Sequence, residues 1–187
     1  MTDTPRIRPL APEDRDEKTR ELLSSMQISA EGDTMNLFST LAHHPALLKR
    51  WSQFGGKLLF GGRLSHRDRE VLILRTAANT GAEYEWGHHQ GLARGAGLTS
   101  EEIDALAGPL SESDDTIGPE DALLVRAADE LHAHQVLSDD TWAALAERYD
   151  EQQLIEICMV VGQYHMVAFT ARSLGVQLEA GYEGFPS

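Results

Sequence analysis

The sequence of 187 residues holds a single cysteine, Cys158, so no disulfide can form within the chain. A lone thiol inside "IEICMVV" reads as a small buried hydrophobe in a reducing compartment, not as a nucleophile. Positive charge is also scarce: 16 Lys and Arg stand against 30 Asp and Glu, a formal net charge of −14. Phosphate recognition needs a basic face, which excludes nucleic acid as a partner and makes an anionic membrane surface equally unsuitable. The start, "MTDTPRIRPLAPEDRDEK", has no apolar signal core, and no run approaches the ~20 apolar residues of a membrane span, so a cytoplasmic location is expected. Sustained period-2 alternation is absent, and the β-branched residues sit inside helical runs. A chain of this length buries roughly two-thirds of its unfolded surface as one domain without a disulfide or metal staple.

What is present is helical punctuation. A charged first helix is expected over about residues 14–26, broken by "AEGDT" (30–34), with "NLFSTLAHH" and "PALLKRWSQFGGKLLF" following and Pro45 in a first turn. In "LSHRDREVLILRTAANTG" Ser65 and Asp68 resemble a capping box and Gly81 ends the helix, which is apolar almost all round from Val71 to Leu74 and so belongs at the centre. A helix closed by Gly97 comes next, then a short one from Thr99 or Ser100 to Gly108-Pro109. The acidic loop 111–120 is the best internal boundary. Beyond it lie a helix from Pro119 to about His134, "SDDTWAALAERY", and a last helix capped by Asp150 with Gln153 and ended at Gly175. This is an all-α chain of eight or nine helices. Arg-x-x-Gly closes a helix in each half, at Arg94 and Arg172, a layout compatible with an internal duplication.

The densest chemistry lies in "AEYEWGHHQGLARGAG" (82–97). At about 100° per residue, Trp86, His89, Ala93 and Ala96 share one stripe, Glu85 lies within about 40° of His89, and His88 points about 200° away from Trp86. His89 is therefore the inward histidine and His88 the outward one. A carboxylate four residues from an imidazole orients it and raises its pKa, which makes Glu85 and His89 a candidate acid–base unit; the plainer reading is an i,i+4 hydrogen bond at the edge of a core. Glu70 opens the most apolar helix, where an unpaired carboxylate is costly to bury, so it calls for a proton, a partner or a site. Its plainer reading is a solvated first-turn glutamate favoured by the helix dipole.

Metal motifs are weak. "EWGH" (85–88) matches a Glu-x-x-His, but its nearest second copy, Asp129 to His132, has Asp for Glu, and a di-iron bundle needs two copies with further glutamates. His132 and His134 in "HAH" lie about 200° apart on a helix, and His-Glu-x-x-His is missing. No metal or cofactor is expected. "QYHM" places Gln163, Tyr164 and His165 in an apolar helix, either as a satisfied core network or as lining for the same pocket.

The run "LSHRDREVLILRTAANTGAEYEWGHHQGLARGAGLTSEEI", with "NLFSTLAHHPALLKRW" before it and "LIEICMVVGQYHMVAFTARSLGV" after it, resembles the carboxymuconolactone decarboxylase and alkylhydroperoxidase D (AhpD-like) superfamily. The resemblance covers about residues 33–178 of a single domain spanning 1–187, with 1–32 as an N-terminal helix and linker. In the peroxidase branch a glutamate lies twelve residues before a Cys-x-x-Cys that is followed by x-x-x-His. Glu70 and His89 match that pattern, whereas Ala82 and Glu85 stand at the two cysteine places. Thiolate and disulfide chemistry is therefore not expected, and Cys158 lies outside the motif.

The decarboxylase branch also lacks the cysteine pair. The resemblance then implies an acid–base lyase of aromatic compound catabolism, acting on a small organic acid or lactone, with His89 delivering a proton assisted by Glu85 or Glu70. Tyr84, Trp86 and His165 would bind substrate, and Arg75 or Arg94 would meet a carboxylate. It further implies an AhpD-like helical bundle that assembles as a trimer or hexamer with sites near subunit contacts. The competing readings are a peroxidase or antioxidant activity and a non-catalytic oligomeric binding protein of the same fold.

Overall fold

The computed structural model describes residues 4–26, 34–109 and 115–186. Among these residues the fold is nine α-helices and a 3₁₀ turn, with no strand: α1 Glu17–Ser24, α2 Asn36–Leu41, α3 Pro45–Phe60, α4 His66–Thr80, α5 Glu83–Gly95, α6 Ser100–Leu106, α7 Pro119–His134, α8 Asp139–Ala146 and α9 Glu151–Leu174. Most of the "AEGDT" break and residues 111–114 of the expected boundary loop lie outside the described residues.

Capping explains where most helices begin. Pro45 and Pro119 occupy first-turn positions, and complete capping boxes form at Thr99/Glu102 and Asp150/Gln153. At α4 only the forward half of the expected box forms, with Ser65 Oγ accepting from the Asp68 amide at 3.0 Å. The first helix is shorter than expected, because Pro12–Asp14 forms a separate 3₁₀ turn and Asp16 then caps α1 by accepting from the Thr19 amide at 2.7 Å. Gly81 closes α4 in the left-handed conformation at φ 63°, which turns the chain straight into α5.

Helix α4 is the hub. Its Val71–Leu74 segment is fully buried, and the helix packs against α5, α7 and α9, drawing Trp86, Ile103, Leu124, Leu145 and Ile157 into the main core. Helix α9 does have the length and composition of a membrane span, contrary to the run-length reading, but half of its most apolar window is buried inside the protein. Beyond α9, residues 175–186 run back across α5. Gly87 permits the crossing, since a Cβ there would lie 2.8 Å from the Leu178 side chain and 3.0 Å from the Glu183 carbonyl oxygen.

Candidate active site

Helices α4 and α5 cross so that Glu70, from the second turn of α4, meets His89, two turns into α5. Glu70 Oε2 lies 2.7 Å from His89 Nδ1, and Glu70 is only 1% exposed. An ionised carboxylate accepts and cannot donate, so Nδ1 carries the proton, and in the neutral imidazole Nε2 keeps its lone pair. The Arg69 Nε, 3.6 Å from Glu70 Oε1, adds positive charge on the other side. The Tyr164 ring stands edge-on to His89 with centroids 5.0 Å apart.

The expected pairing of Glu85 with His89 is not made. Both Glu85 carboxyl oxygens are buried without a hydrogen-bond partner, although the residue is 3% exposed. Burial pushes its pKa up to about 8, against the pull of the Arg172 charge. Residue 85 projects into a cavity of about 340 Å³ that His89, Glu85, Tyr84, Gln163 and Tyr164 line together with apolar side chains of α2 and α3. Burial raises the Tyr164 phenol, as does the nearby Glu70 carboxylate, so it stays protonated.

His88 was expected to face outward, but its side chain is covered. The C-terminal segment lies over it: Nε2 is 2.6 Å from Glu179 Oε2, and the ring is sandwiched between Tyr84 and Tyr182 at 4.6 and 4.1 Å. Glu179 also accepts from the Tyr84 hydroxyl (3.0 Å) and the Asn36 amide (2.6 Å). Burial alone would raise the Glu179 carboxyl, but the bonds from His88 and Asn36 outweigh it and hold it below the usual value. A helical wheel could not reveal this, because the covering residues come from an aperiodic tail 91 positions away.

Two further residues lie elsewhere. Trp86 is fully buried in the main core, stacked 4.9 Å from Phe185, and is not part of the cavity wall. His165 faces α7, with Nε2 2.9 Å from His132 Nδ1, and is likewise absent from the wall. Neither candidate cation serves the cavity. Arg75 is bidentate to Asp129 at 2.6 and 2.8 Å, and Arg94 reaches Gln90 at 3.3 Å. Among the described residues no lysine or arginine lines the cavity, and no cluster of three or more metal-ligating side chains forms.

Comparison with known proteins places this geometry. Residues 45–125 match the Carboxymuconolactone decarboxylase family, whereas no curated protein matches the sequence. Among solved structures, an uncharacterized peroxidase-related protein of Ralstonia eutropha JMP134, an alkylhydroperoxidase AhpD core, superposes with a TM-score of 0.78 at 19% identity, covering 93% of each chain. An uncharacterized peroxidase-related protein of Silicibacter sp. TM1040 gives 0.77 at 17% identity over 99% of this chain and 98% of the other. The debrominase Bmp8 gives 0.67 at 17% over 93% and 92%, and a variant of it has been solved in complex with 2,3,4-tribromopyrrole. At these identities the likeness establishes the shared fold.

Proposed function

We propose, from the match of residues 45–125 to the Carboxymuconolactone decarboxylase family and the AhpD-like fold, a thiol-free acid–base enzyme acting on a small lactone or related carbonyl compound. The observation that carries the reading is the buried 2.7 Å contact between Glu70 and His89, which presents Nε2 of His89 to the cavity as a base of fixed tautomer. Glu85, held protonated by burial, is the matching acid; two titratable groups driven apart by their surroundings divide the roles between them.

The reaction class is a proton shift next to a carbonyl, of the lyase or isomerase kind. His89 Nε2 takes the proton from carbon, the electron pair moves into the carbonyl as an enolate, and Glu85 donates its proton to that oxygen. The imidazolium then returns the proton to a carbon of the same conjugated system while the Glu85 carboxylate takes its own proton back from the enol oxygen, so no oxidant or co-reactant is needed. Decarboxylation runs through the same protonation step but begins from a bound carboxylate, which a cavity without a lysine or arginine among the described residues holds poorly. Peroxide reduction is disfavoured because Ala82 and Glu85 stand where the thiols would be and Cys158 is not on the cavity wall. The ring compound bound by Bmp8 supports a ring-sized substrate for this fold.

Turnover of a panel of unsaturated lactones, with and without a carboxyl group and including 4-carboxymuconolactone, is the direct test. The expected result is isomerisation or cleavage of a neutral lactone that falls by roughly 10²-fold or more in His89→Gln. No turnover of any member refutes the reaction class, and an unimpaired variant removes His89 from it.

The same reading includes assembly as a trimer or hexamer. It is supported by an exposed apolar stripe on α9, where Ile155, Met159, Met166 and Phe169 are 63%, 43%, 43% and 64% exposed.

A further inference from the structure

With Glu85 protonated, one of its oxygens is a donor, and the other polar atoms left unpartnered around the cavity can accept. Both Glu85 oxygens, Oε1 of Gln163 and Nδ1 of His88 are buried without a hydrogen bond, and all three residues line the cavity. His88 donates its Nε2–H to the Glu179 carboxylate, and in the neutral imidazole its Nδ1 then carries only a lone pair. His89 is in the same position, with Nδ1–H committed to Glu70 and Nε2 facing the cavity as an acceptor. Three hydroxyl donors of the wall are spent, Ser25 on the Leu22 carbonyl, Ser52 on the Lys49 carbonyl and Tyr84 on Glu179, which leaves that of Tyr164.

Charge points the same way. Glu85 lines the cavity, Glu70 and Glu179 stand directly behind its two histidines, and no lysine or arginine of the described residues reaches it. The segment 27–33 contains no lysine or arginine in its sequence. An anion entering this space would lose its hydration and find no lysine or arginine in return, with the Glu70 and Glu179 carboxylates behind the histidines. The remaining wall is apolar, with Met26, Met35, Leu37, Phe38, Trp51 and Leu59. An engineered cavity of about 150 Å³ accepts benzene, so one of about 340 Å³ holds a ring with a short substituent.

We infer that the cavity takes a neutral, mostly apolar ring molecule bearing an O–H or N–H donor, and that it turns carboxylates away. The inference names the substrate class of the site proposed above and rests on that cavity being the site. The donor meets Gln163 and His88, and the ring lies against Met35 and Trp51. An unpaired buried acceptor costs more than a made bond returns, so the site discriminates chiefly by leaving its acceptors unsatisfied when the donor is missing.

Three probes of nearly equal size separate the terms: 4-propylphenol, its methyl ether and 4-propylbenzoate. Binding is read at pH 7 from the ¹³C-methyl NMR signals of Met26 and Met35 on the wall, with Met159 and Met166 on α9, outside the cavity, as references. The phenol is expected to shift both cavity methyls and to bind roughly tenfold more tightly than the ether, while the benzoate leaves them unmoved. In Glu85→Leu and Gln163→Leu the advantage of phenol over ether shrinks, because an acceptor has gone while the apolar wall remains. Benzoate binding as tightly as the phenol, an ether that matches it, or no response to any probe overturns the inference. Phenol binding without turnover of any lactone refutes the proposed reaction and leaves this inference standing; turnover of a carboxylated lactone through His89 does the reverse.

Discussion

Glu85 is a buried carboxyl with no hydrogen-bond partner, and such a group stays in place only if it is protonated and of use. Its folded pKa of about 8 lies above the unfolded value near 4.5, so the native state keeps a proton that the unfolded state gives up. Stability from this group is complete below pH 4.5, declines as pH rises toward 8 and is flat beyond. The loss across that window is on the order of 3–5 kcal/mol. Glu85→Gln cannot ionise, so its melting temperature is expected to gain on that of the native protein as pH rises from 5 to 8; parallel pH profiles for the two proteins refute the assignment. The neighbouring dyad was half legible. Glu70 and His89 stood out by residue type and by their place in a known pattern, but their pairing depends on how α4 crosses α5, which no local spacing encodes. The i,i+4 rule favoured Glu85 instead, and it yields here because tertiary contact offers His89 a better-aligned partner.

Helices α2 to α9 begin or end near the positions their prolines, caps and glycines imply, because those signals act within a turn of the chain they control. The segment after α9 has no such signal, yet it holds α5 at three places. Glu179 binds His88, the Glu183 carbonyl accepts from Gln90 Nε2 at 2.8 Å, and Phe185 stacks on Trp86. Gly87 makes the crossing possible, and Gly87→Val pushes a side chain into Leu178 and the Glu183 backbone. That variant is expected to free residues 176–186 while leaving α4 intact. Hydrogen exchange reads the difference: amides around Val176 and Tyr182 lose protection while those of Val71–Leu74 keep theirs. Glu179→Gln weakens the same clasp by about 1–3 kcal/mol, since an ionised acceptor of three bonds becomes neutral. Unchanged tail protection in Gly87→Val means that the close approach carries no load.

At the scale of the whole molecule, the twofold use of α9 decides the argument. Leu154, Ile157, Val160, Val161 and Ala168 enter the cores, yet Ile155, Met159, Met166 and Phe169 recur at helical spacing on the open side. A helix apolar on both sides was legible as a long hydrophobic run, but which of its faces meets α4 follows only from the packed fold. The exposed residues fall at i, i+4, i+11 and i+14, one continuous stripe, and Phe60 at the end of α3 is 66% exposed as well. Isolated surface hydrophobics need no explanation, whereas a stripe of this kind on a strongly acidic chain points to a covered interface, because charge repulsion elsewhere would otherwise be the only term acting between copies. The chain is therefore expected to elute as a multiple of its monomer in light-scattering chromatography, and Ile155→Glu with Phe169→Glu to elute as a monomer with unchanged helical circular dichroism. High salt should leave the native assembly intact, since burial of apolar surface is not screened. A native protein that is monomeric at all concentrations, or a double variant that still assembles, removes α9 as the interface.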